Sequence, residues 1–159
     1  MRLGGGLIEI RPMVATDIER VIELAAGLEQ APQWPRQVYE TMLERAIPER
    51  IALVAEELPE RVAVGLIVAT LAAPEAEVET IAVAISSQRC GVGRRLIEAL
   101  ESALRKGGAS EVNLEVRASN VAALAFYRTL GFRESGRRRG YYTEPIEDAV
   151  LMRKEVTRI

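Results

Sequence analysis

The chain has 159 residues, of which 48% are hydrophobic and 28% are charged, a length and balance typical of one globular domain. It contains no histidine, which excludes Ser-His-Asp and Cys-His catalytic systems and every zinc site that needs a histidine ligand. Its 21 lysine and arginine residues against 23 aspartate and glutamate residues leave a net charge of -2, so no global field would gather nucleic acid.

Cysteine usage and hydropathy predict the compartment. The single cysteine, Cys90, excludes an internal disulfide and favours a reducing environment. The apolar runs are far shorter than the roughly 20 residues of a membrane-spanning helix, and the chain does not open with a signal-peptide pattern. We therefore expect a cytoplasmic protein without a membrane partner. Residues 1–6, which include three successive glycines, are predicted to be a flexible lead to a domain over residues 7–159.

The chain begins with a predicted strand and two predicted helices. Ile8 and Ile10 alternate with polar residues, which indicates a short strand. Thr16 and Glu19 have the spacing of a capping box and predict the start of an amphipathic helix. A loop that holds the one tryptophan follows, and a proline then marks the start of a second helix over about residues 36–46.

The middle of the chain predicts three strands and a long helix. Residues 51–56 and 62–71 indicate a hairpin, with β-branched residues and alanine dominating its second strand. The apolar segment 78–85 lacks clean alternation, as in a central strand buried on both faces. Apolar residues then recur at a spacing of four from Val92 to Leu104, which predicts an amphipathic helix that stops at a glycine pair.

The last third of the chain predicts a strand, a helix and two closing strands. Residues 112–116 alternate between apolar and polar types, as in a strand with two different faces. The helix that follows ends at Gly131. Segments 132–139 and 149–156 indicate closing strands, with a tyrosine pair in the loop between them. We therefore predict a single α/β domain with a mixed central sheet flanked by helices.

The segment from Gln88 to Arg95 joins the predicted central strand to the long helix and holds two glycines. Glycine lets a ligand approach the backbone closely, and the first N–H groups of a helix have no internal partner. Arg89, Arg94 and Arg95 add cationic donors, so the turn can hold a phosphate. It matches neither the G-K-[ST] ending of a P-loop nor G-x-G-x-x-G. From the residues alone, a phosphate site and a plain glycine turn with surface arginines both stay open.

Four stretches of the sequence carry a family resemblance. The run QRCGVGR at 88–94 resembles the Q/R-x-x-G-x-G/A signature of the GNAT superfamily of N-acetyltransferases. The stretches LEVRASNVAALAFYRTLGF at 114–132, RRRGYY at 137–142 and EDAVLM at 147–152 resemble its ribosomal-protein-alanine N-acetyltransferase (RimI-like) branch. The resemblance covers residues 8–152. It implies a GNAT fold and acetyl transfer, without a metal, from acetyl-CoA to a protein N-terminal amine, that of the N-terminal alanine of a small-subunit ribosomal protein.

The resemblance also implies where acetyl-CoA binds. In the family, the backbone at the end of the central strand pairs with the pantetheine arm, and the glycine turn wraps the pyrophosphate. An asparagine hydrogen-bonds the pantetheine, and a tyrosine lies near the thioester sulfur. The matching positions of this sequence are Ile81, Ala82, Val83, Arg89, Cys90, Gly91, Val92, Gly93, Arg94, Asn120 and Tyr127. The chain departs from the family after the strand, where Ala84-Ile85-Ser86 takes the place of Asp-Pro.

Two residues carry the catalytic roles that the resemblance implies: Glu115 matches the general base, and Tyr127 suits the acid. An α-amine has a pKa of about 8 and must lose a proton before it attacks. Without histidine, a carboxylate is the plausible acceptor, and a phenol of pKa about 10 can protonate the departing thiolate. The residues alone leave other interpretations open, with Glu115 a solvent-facing partner of Arg117, Tyr127 a core residue and Asn120 only a helix cap.

The acceptor site is predicted from the tyrosine pair. Tyr141 and Tyr142 match residues that line the peptide-entry groove in this branch, and the loop with Trp34 is expected to form the opposite wall. A charged hairpin whose tyrosines pack on the sheet is the alternative. Arg137–Arg139 could instead contact RNA, but three arginines in an acidic chain argue weakly for it. A nucleophilic Cys90 is set aside because the family reaction is direct transfer.

Two other functions stay open at this point. The acceptor could be a lysine side chain, a polyamine or another small amine, with the same fold and the same donor. A non-catalytic acetyl-CoA sensor or assembly partner is the alternative from a different class of protein, and the presence of both Glu115 and Tyr127 argues against it.

Overall fold

The computed structural model describes residues 6–156, and within that range the chain forms seven strands and four α-helices. The strands are β1 (Ile8–Pro12), β2 (Glu49–Glu57), β3 (Val62–Ala72), β4 (Glu75–Val83), β5 (Glu111–Arg117), β6 (Arg133–Thr143) and β7 (Ile146–Glu155). The helices are α1 (Ile18–Ala26), α2 (Arg36–Met42), α3 (Val92–Lys106) and α4 (Val121–Thr129). Positions 1–5 of the predicted flexible lead lie outside the described residues, as do residues 157–159.

The strands form one mixed sheet in the order β1-β2-β3-β4-β5-β7-β6. Neighbouring strands are antiparallel except for β4 and β5, which are parallel. The predicted hairpin is confirmed as β2 and β3, which pair from Glu49 with Leu71 to Glu57 with Val62. The predicted α/β class, with a mixed sheet between helices, is confirmed as well.

Helices cover both faces of the sheet because strand β3 is apolar on both of its faces. Ile67 and Ala69 belong to a core cluster that includes α3 and α4. Leu66 and Val68, on the opposite face, belong to a second cluster with α1 and α2. The apolar stripe predicted for α3 is buried against the first face, and its members are Val92, Leu96, Ile97, Leu100 and Leu104.

Strands β4 and β5 pair over a short distance only. Their register runs from Glu75 with Glu111 to Glu77 with Asn113, and no later pair joins them in the described chain. Beyond that point, within residues 6–156, β4 pairs only with β3, and β5 only with β7. Because backbone N–H and C=O groups need partners, the two facing edges can hydrogen-bond an extended ligand. We call the space between these edges the fork.

The predicted start of α1 is wrong in its details. Thr16 lies inside a 3-10 turn over Ala15–Asp17, and no capping box with Glu19 forms. The carboxylate of Asp17 instead accepts the backbone N–H of Val14 at 2.8 Å. Asp17 takes this role because its side chain is also held by Arg11, a partner from β1 that local spacing does not reveal.

The predicted loop around the tyrosine pair is wrong as well. Tyr141 and Tyr142 belong to β6, which extends to Thr143. The ladder is irregular after Arg138 and resumes where Tyr142 pairs with Glu147. The turn between β6 and β7 is therefore short, and Tyr142 has a fixed position on the sheet.

Arg11 joins two carboxylates near the edge of the sheet. Its guanidinium donates to both oxygens of Asp17 at 2.8 Å and to Glu56 Oε2 at 2.7 Å. These hydrogen bonds from Arg11 hold the pKa of Asp17 below its ordinary value. A carboxyl group whose pKa is lower in the folded than in the unfolded chain stabilises the fold. For an aspartate this contribution is fully present at pH values above the unfolded-state pKa of about 3.9. That contribution disappears as the pH falls through the lower, folded-state pKa.

We expect Asp17→Asn to lower the free energy of unfolding at pH 7, because the amide no longer attracts the Arg11 guanidinium. The difference from the wild type should shrink below about pH 4. Urea unfolding at several pH values between 7 and 3 measures both effects. Glu19→Gln is the control, since that carboxylate is 87% exposed and lies 3.4 Å from Arg36, a geometry that contributes little. A difference between Asp17→Asn and wild type that does not vary with pH would contradict the expectation.

Candidate active site

An open cleft of about 1020 Å³ lies in the fork. Its walls come from β4, the turn before α3, β5, the start of α4, the loop after α1 and the end of β6. It brings together residues predicted for the coenzyme, for catalysis and for the acceptor. These are Ile81, Val83, Arg89, Gly91, Gly93, Arg94, Glu115, Asn120, Tyr127 and Tyr142.

Three residues predicted to bind the coenzyme do not line the cleft with their side chains. Ala82 and Val92 are only 4% and 2% exposed and belong to the core. Their backbone groups are therefore the only part that a ligand could contact. Cys90 is a free, exposed thiol, and it too stands outside the cleft lining.

The two walls predicted for the acceptor are placed differently from the expectation. The loop after α1 does reach the cleft, through residues 29–32. Trp34 instead packs edge-on against the buried Tyr39, with ring centroids 5.8 Å apart. On the other side Tyr142 lines the cleft, while Tyr141 is 47% exposed and packs edge-on against Tyr142.

The turn before α3 presents uncapped backbone donors to the cleft. Arg89 and Gly91 have positive φ angles of 61° and 83°, and a Cβ atom built at Gly91 would meet nothing within 4 Å. Gly91 is the N-cap residue of the 15-residue helix α3 and supplies no side-chain cap. The first N–H groups of α3 are thus free for an anion. Gln88 Nε2 donates to the carbonyl of Val83 at 3.0 Å and ties the turn to the end of β4.

Ser87 is a cleft residue that sequence reasoning missed. Ser87 is buried at 3% exposure, and its hydroxyl has no hydrogen-bond partner among residues 6–156. A buried hydroxyl without a partner is costly, so a ligand oxygen in the cleft would relieve the cost. The residues present therefore fit a long ligand with polar groups along its length and an anionic end at α3. A single serine in a strand-to-helix turn carries no sequence signal of this kind.

Glu115 faces the cleft because β5 alternates. Val112, Leu114 and Val116 are buried in the core, which places Glu115 on the other face with its side chain 19% exposed. Its partner is Arg138, whose Nε lies 3.5 Å from Oε1. The alternative in which Glu115 pairs with Arg117 is therefore wrong, because Arg117 pairs with Glu147.

Several carboxylates lie close together near this end of the cleft. Burial, and then the charges of Glu115 and Glu79, raise the pKa of Glu77. Burial and the charge of Glu115 likewise raise the pKa of Tyr142. Glu79 itself is held by Arg50, at 2.7 Å and 3.0 Å, and by the hydroxyl of Thr70. Glu115 and Glu79 are thus carboxylates of the cleft wall that each pair with an arginine, Arg138 and Arg50 respectively.

Tyr127 reaches the cleft from the buried side of α4. It is 7% exposed, and its ring packs against Phe126 and Phe132 with centroids 5.3 Å and 5.6 Å away. Burial raises the pKa of Tyr127 well above its ordinary value. The phenol therefore stays protonated at neutral pH, where it can donate a hydrogen bond or a proton.

Asn120 is the N-cap residue of α4. Its Oδ1 accepts the backbone N–H of Ala123 at 3.1 Å, as expected for a cap. The side-chain NH₂ group is separate from this oxygen and carries two donors. Because Asn120 also lines the cleft, the cap and a ligand contact are compatible.

Two further properties concern the whole described range. Between residues 6 and 156, no helix combines the length and the apolar character needed to cross a membrane. Over the same residues, His, Cys, Asp and Glu side chains do not gather in a group of three or more that could hold a metal ion.

Comparison with known proteins places this site in a family. A model of the Acetyltransferase (GNAT) family matches residues 18–132. The chain is 50% identical over 80 residues to the [Ribosomal protein bS18]-alanine N-acetyltransferase of Escherichia coli strain K12, a match that covers 49% of this chain and 54% of that protein. It is 47% identical over 81 residues to the N-alpha-acetyltransferase RimI of Mycobacterium tuberculosis, covering 51% and 49%. The matches thus span about half the length of these curated relatives.

A solved structure is similar over almost the whole length. The crystal structure of the ribosomal-protein-S18-alanine N-acetyltransferase from Escherichia coli has a TM-score of 0.82 and 29% identity, and the match covers 96% of each chain. The family model extends from the start of α1 through α4 and so includes the fork, the turn before α3 and both predicted catalytic residues. The chain belongs to the Acetyltransferase (GNAT) family.

Proposed function

We propose that this chain transfers an acetyl group from acetyl-CoA to the α-amine of a protein N-terminus, that of the N-terminal alanine of a small-subunit ribosomal protein. The observation that carries the proposal is the fork, because one cleft joins an anion-binding helix start to a carboxylate and a protonated phenol. The name of the relative with 50% identity supports this acceptor, and the name of the relative with 47% identity supports an α-amine as the acceptor group. Residues 7–159 would form one N-acetyltransferase domain, working in the cytoplasm as the single exposed thiol favours.

Acetyl-CoA would lie along the free edge of β4 and end at α3. The backbone of Ile81–Val83 would pair with the pantetheine arm, and Asn120 would donate its NH₂ group to the same arm. The turn from Arg89 to Arg94 would surround the pyrophosphate, where helix N–H groups and guanidinium groups complement its charge. Ser87 would give its unpartnered hydroxyl to an oxygen of the same ligand.

Acetyl-CoA supplies an acetyl group activated as a thioester. Glu115 would take one proton from the substrate ammonium, directly or through a water, so that the nitrogen lone pair can attack the acetyl carbon and form the N–C bond. Tyr127 would keep its own proton until the C–S bond breaks and would then give it to the sulfur. The second proton, which the nitrogen loses as it becomes an amide, would return to the Tyr127 oxygen through water, so that both products are neutral and Tyr127 is restored. Positioning of the amine beside the thioester contributes most of the rate, and the two proton transfers add to it.

The acceptor would enter beside Tyr142. This residue and residues 29–32 face the same cleft, so they would flank the first residues of the substrate chain. Trp34 would act behind the loop by fixing its path against Tyr39, and Tyr141 would support the ring of Tyr142.

A thiol-release assay with acetyl-CoA tests the proposal. We expect turnover with a peptide that begins Ala-Arg, and none with the same peptide whose N-terminus is already acetylated. Free lysine and spermidine are compared at equal concentration. Preference for either of them would contradict the acceptor and leave the fold and the donor in place. Tight acetyl-CoA binding without thiol release on any amine would favour a sensor over an enzyme.

A further inference from the structure

Glu147 in β7 makes contacts with two different parts of the cleft. Its Oε1 accepts the backbone N–H of Ser119, in the turn between β5 and α4. Its Oε2 lies 3.4 Å from Nη1 of Arg117, the last residue of β5. The Glu147 side chain is only 14% exposed, so this carboxylate is largely shielded from solvent.

The Arg117 contact leads to the acceptor side of the cleft. The guanidinium carbon of Arg117 lies 4.0 Å from the centroid of the Tyr142 ring, a cation–π distance. Tyr142 pairs with Glu147 across β6 and β7. Glu147 therefore holds Arg117, and Arg117 covers the face of the Tyr142 ring. The pairing of the two strands keeps Glu147 and Tyr142 side by side next to the cleft.

The Ser119 contact leads to the coenzyme side. Ser119 immediately precedes Asn120, whose own N–H donates to the carbonyl of Arg117 at 2.9 Å. The turn has one further tie to β7, the hydrogen bond from Ala118 N to Asp148 O at 3.0 Å. Glu147 is thus the side chain that fixes the turn on which Asn120 begins α4.

The Glu147 carboxylate is ionised at neutral pH. Hydrogen bonds from Ser119, and then the nearby Arg117, hold the pKa of Glu147 below its ordinary value. The charge is needed by the Arg117 contact, whereas the Ser119 N–H needs only an acceptor oxygen. The two contacts can therefore be separated by mutation.

We propose that Glu147 is a positioning residue with two separable arms: through Arg117 it orients Tyr142 for the acceptor, and through Ser119 it sets the turn that places Asn120 for acetyl-CoA. This inference rests on the proposed function. Glu147 does not line the cleft, and it would act through Arg117, Asn120 and Tyr142, which do. Nothing in the local sequence signals the link, because Glu147 lies 30 residues from Arg117 and 28 from Ser119.

Two substitutions at this position separate the arms. Glu147→Gln keeps an oxygen for the Ser119 N–H and loses the charge that holds Arg117. We expect it to raise the KM for the peptide about 10-fold, as for a loss of about 1.4 kcal/mol, with kcat and the KM for acetyl-CoA within about twofold of wild type. Glu147→Ala loses both contacts and should raise both KM values. Glu144→Gln, an exposed glutamate in the turn between β6 and β7, is the matched control and should change none of them.

A double-mutant cycle keeps the test valid if Glu147→Ala does not fold. Arg117→Met should raise the peptide KM as Glu147→Gln does, and the double variant should be no worse than either single one. Additive effects, or a Glu147→Gln enzyme with an unchanged peptide KM, would overturn the inference while wild-type activity stands. A wild-type protein that releases no thiol with any peptide would overturn the proposed function itself, and this inference with it.

Discussion

Glu115→Gln should reduce kcat for the Ala-Arg peptide by about 10² to 10⁴, the range that general acid–base catalysis contributes. The amide has nearly the shape of the carboxylate and cannot accept the proton of the substrate ammonium. The dissociation constant for acetyl-CoA should stay within about twofold of wild type, because the donor contacts proposed for β4 and α3 do not involve Glu115. Steady-state thiol release and calorimetric titration measure the two quantities.

The matched control for this variant lies on the same strand. Glu111→Gln changes another half-buried glutamate of β5, four residues earlier, whose partner is Arg153, so it should leave kcat unchanged. If Glu115→Gln is as active as wild type, Glu115 is not the base. Glu77 would then be the carboxylate to test, because burial and its acidic neighbours raise its pKa.

Tyr127→Phe should reduce kcat by about 10²-fold, the lower end of the effect expected for a proton donor, with little loss of stability. The substitution removes only the hydroxyl and keeps the ring between Phe126 and Phe132. Because burial raises the pKa of Tyr127, the wild-type kcat should show no decline from ionisation of this phenol up to about pH 10. A pH profile of kcat and a thermal unfolding curve, recorded for both proteins, measure these effects.

Tyr39→Phe is the control for the tyrosine prediction. Tyr39 is also buried, at 1% exposure, and belongs to the cluster on the other face of the sheet. Loss of its hydroxyl should leave kcat unchanged. Equal kcat for Tyr127→Phe and wild type would show that the buried phenol serves packing, and that the thiolate leaves without a proton from this residue.

Much of the fold followed from patterns within short segments. The spacing-of-four stripe predicted α3, and the alternation over residues 112–116 predicted β5 together with the outward position of Glu115. These predictions succeed because a helix or strand that must bury one face repeats its apolar residues at its own period. The turn at Gly91 could also be predicted from the sequence. Its positive φ is a local backbone conformation that glycine adopts without steric cost.

Other features of the site depended on partners that are distant in sequence. Arg117 pairs with Glu147 and lies over the ring of Tyr142. Spacing along the strand had suggested Glu115 as the ion-pair partner of Arg117. Tyr142 is a strand residue because β7 pairs with it, although its own neighbours suggest a loop. The role of the family's site residues in this chain stays a prediction that the variants above test.

The sequence by itself determined the order of helices and strands, the absence of histidine chemistry and the family to which these motifs point, because each depends on residue types or on spacings within one segment. Only the tertiary structure decided that β4 and β5 separate after Asn113, that the Ser87 hydroxyl is buried without a partner in the described part of the chain and that Glu147 joins the two sides of the cleft. Those three features come from contacts between elements that are far apart along the chain, where no local pattern records which groups meet.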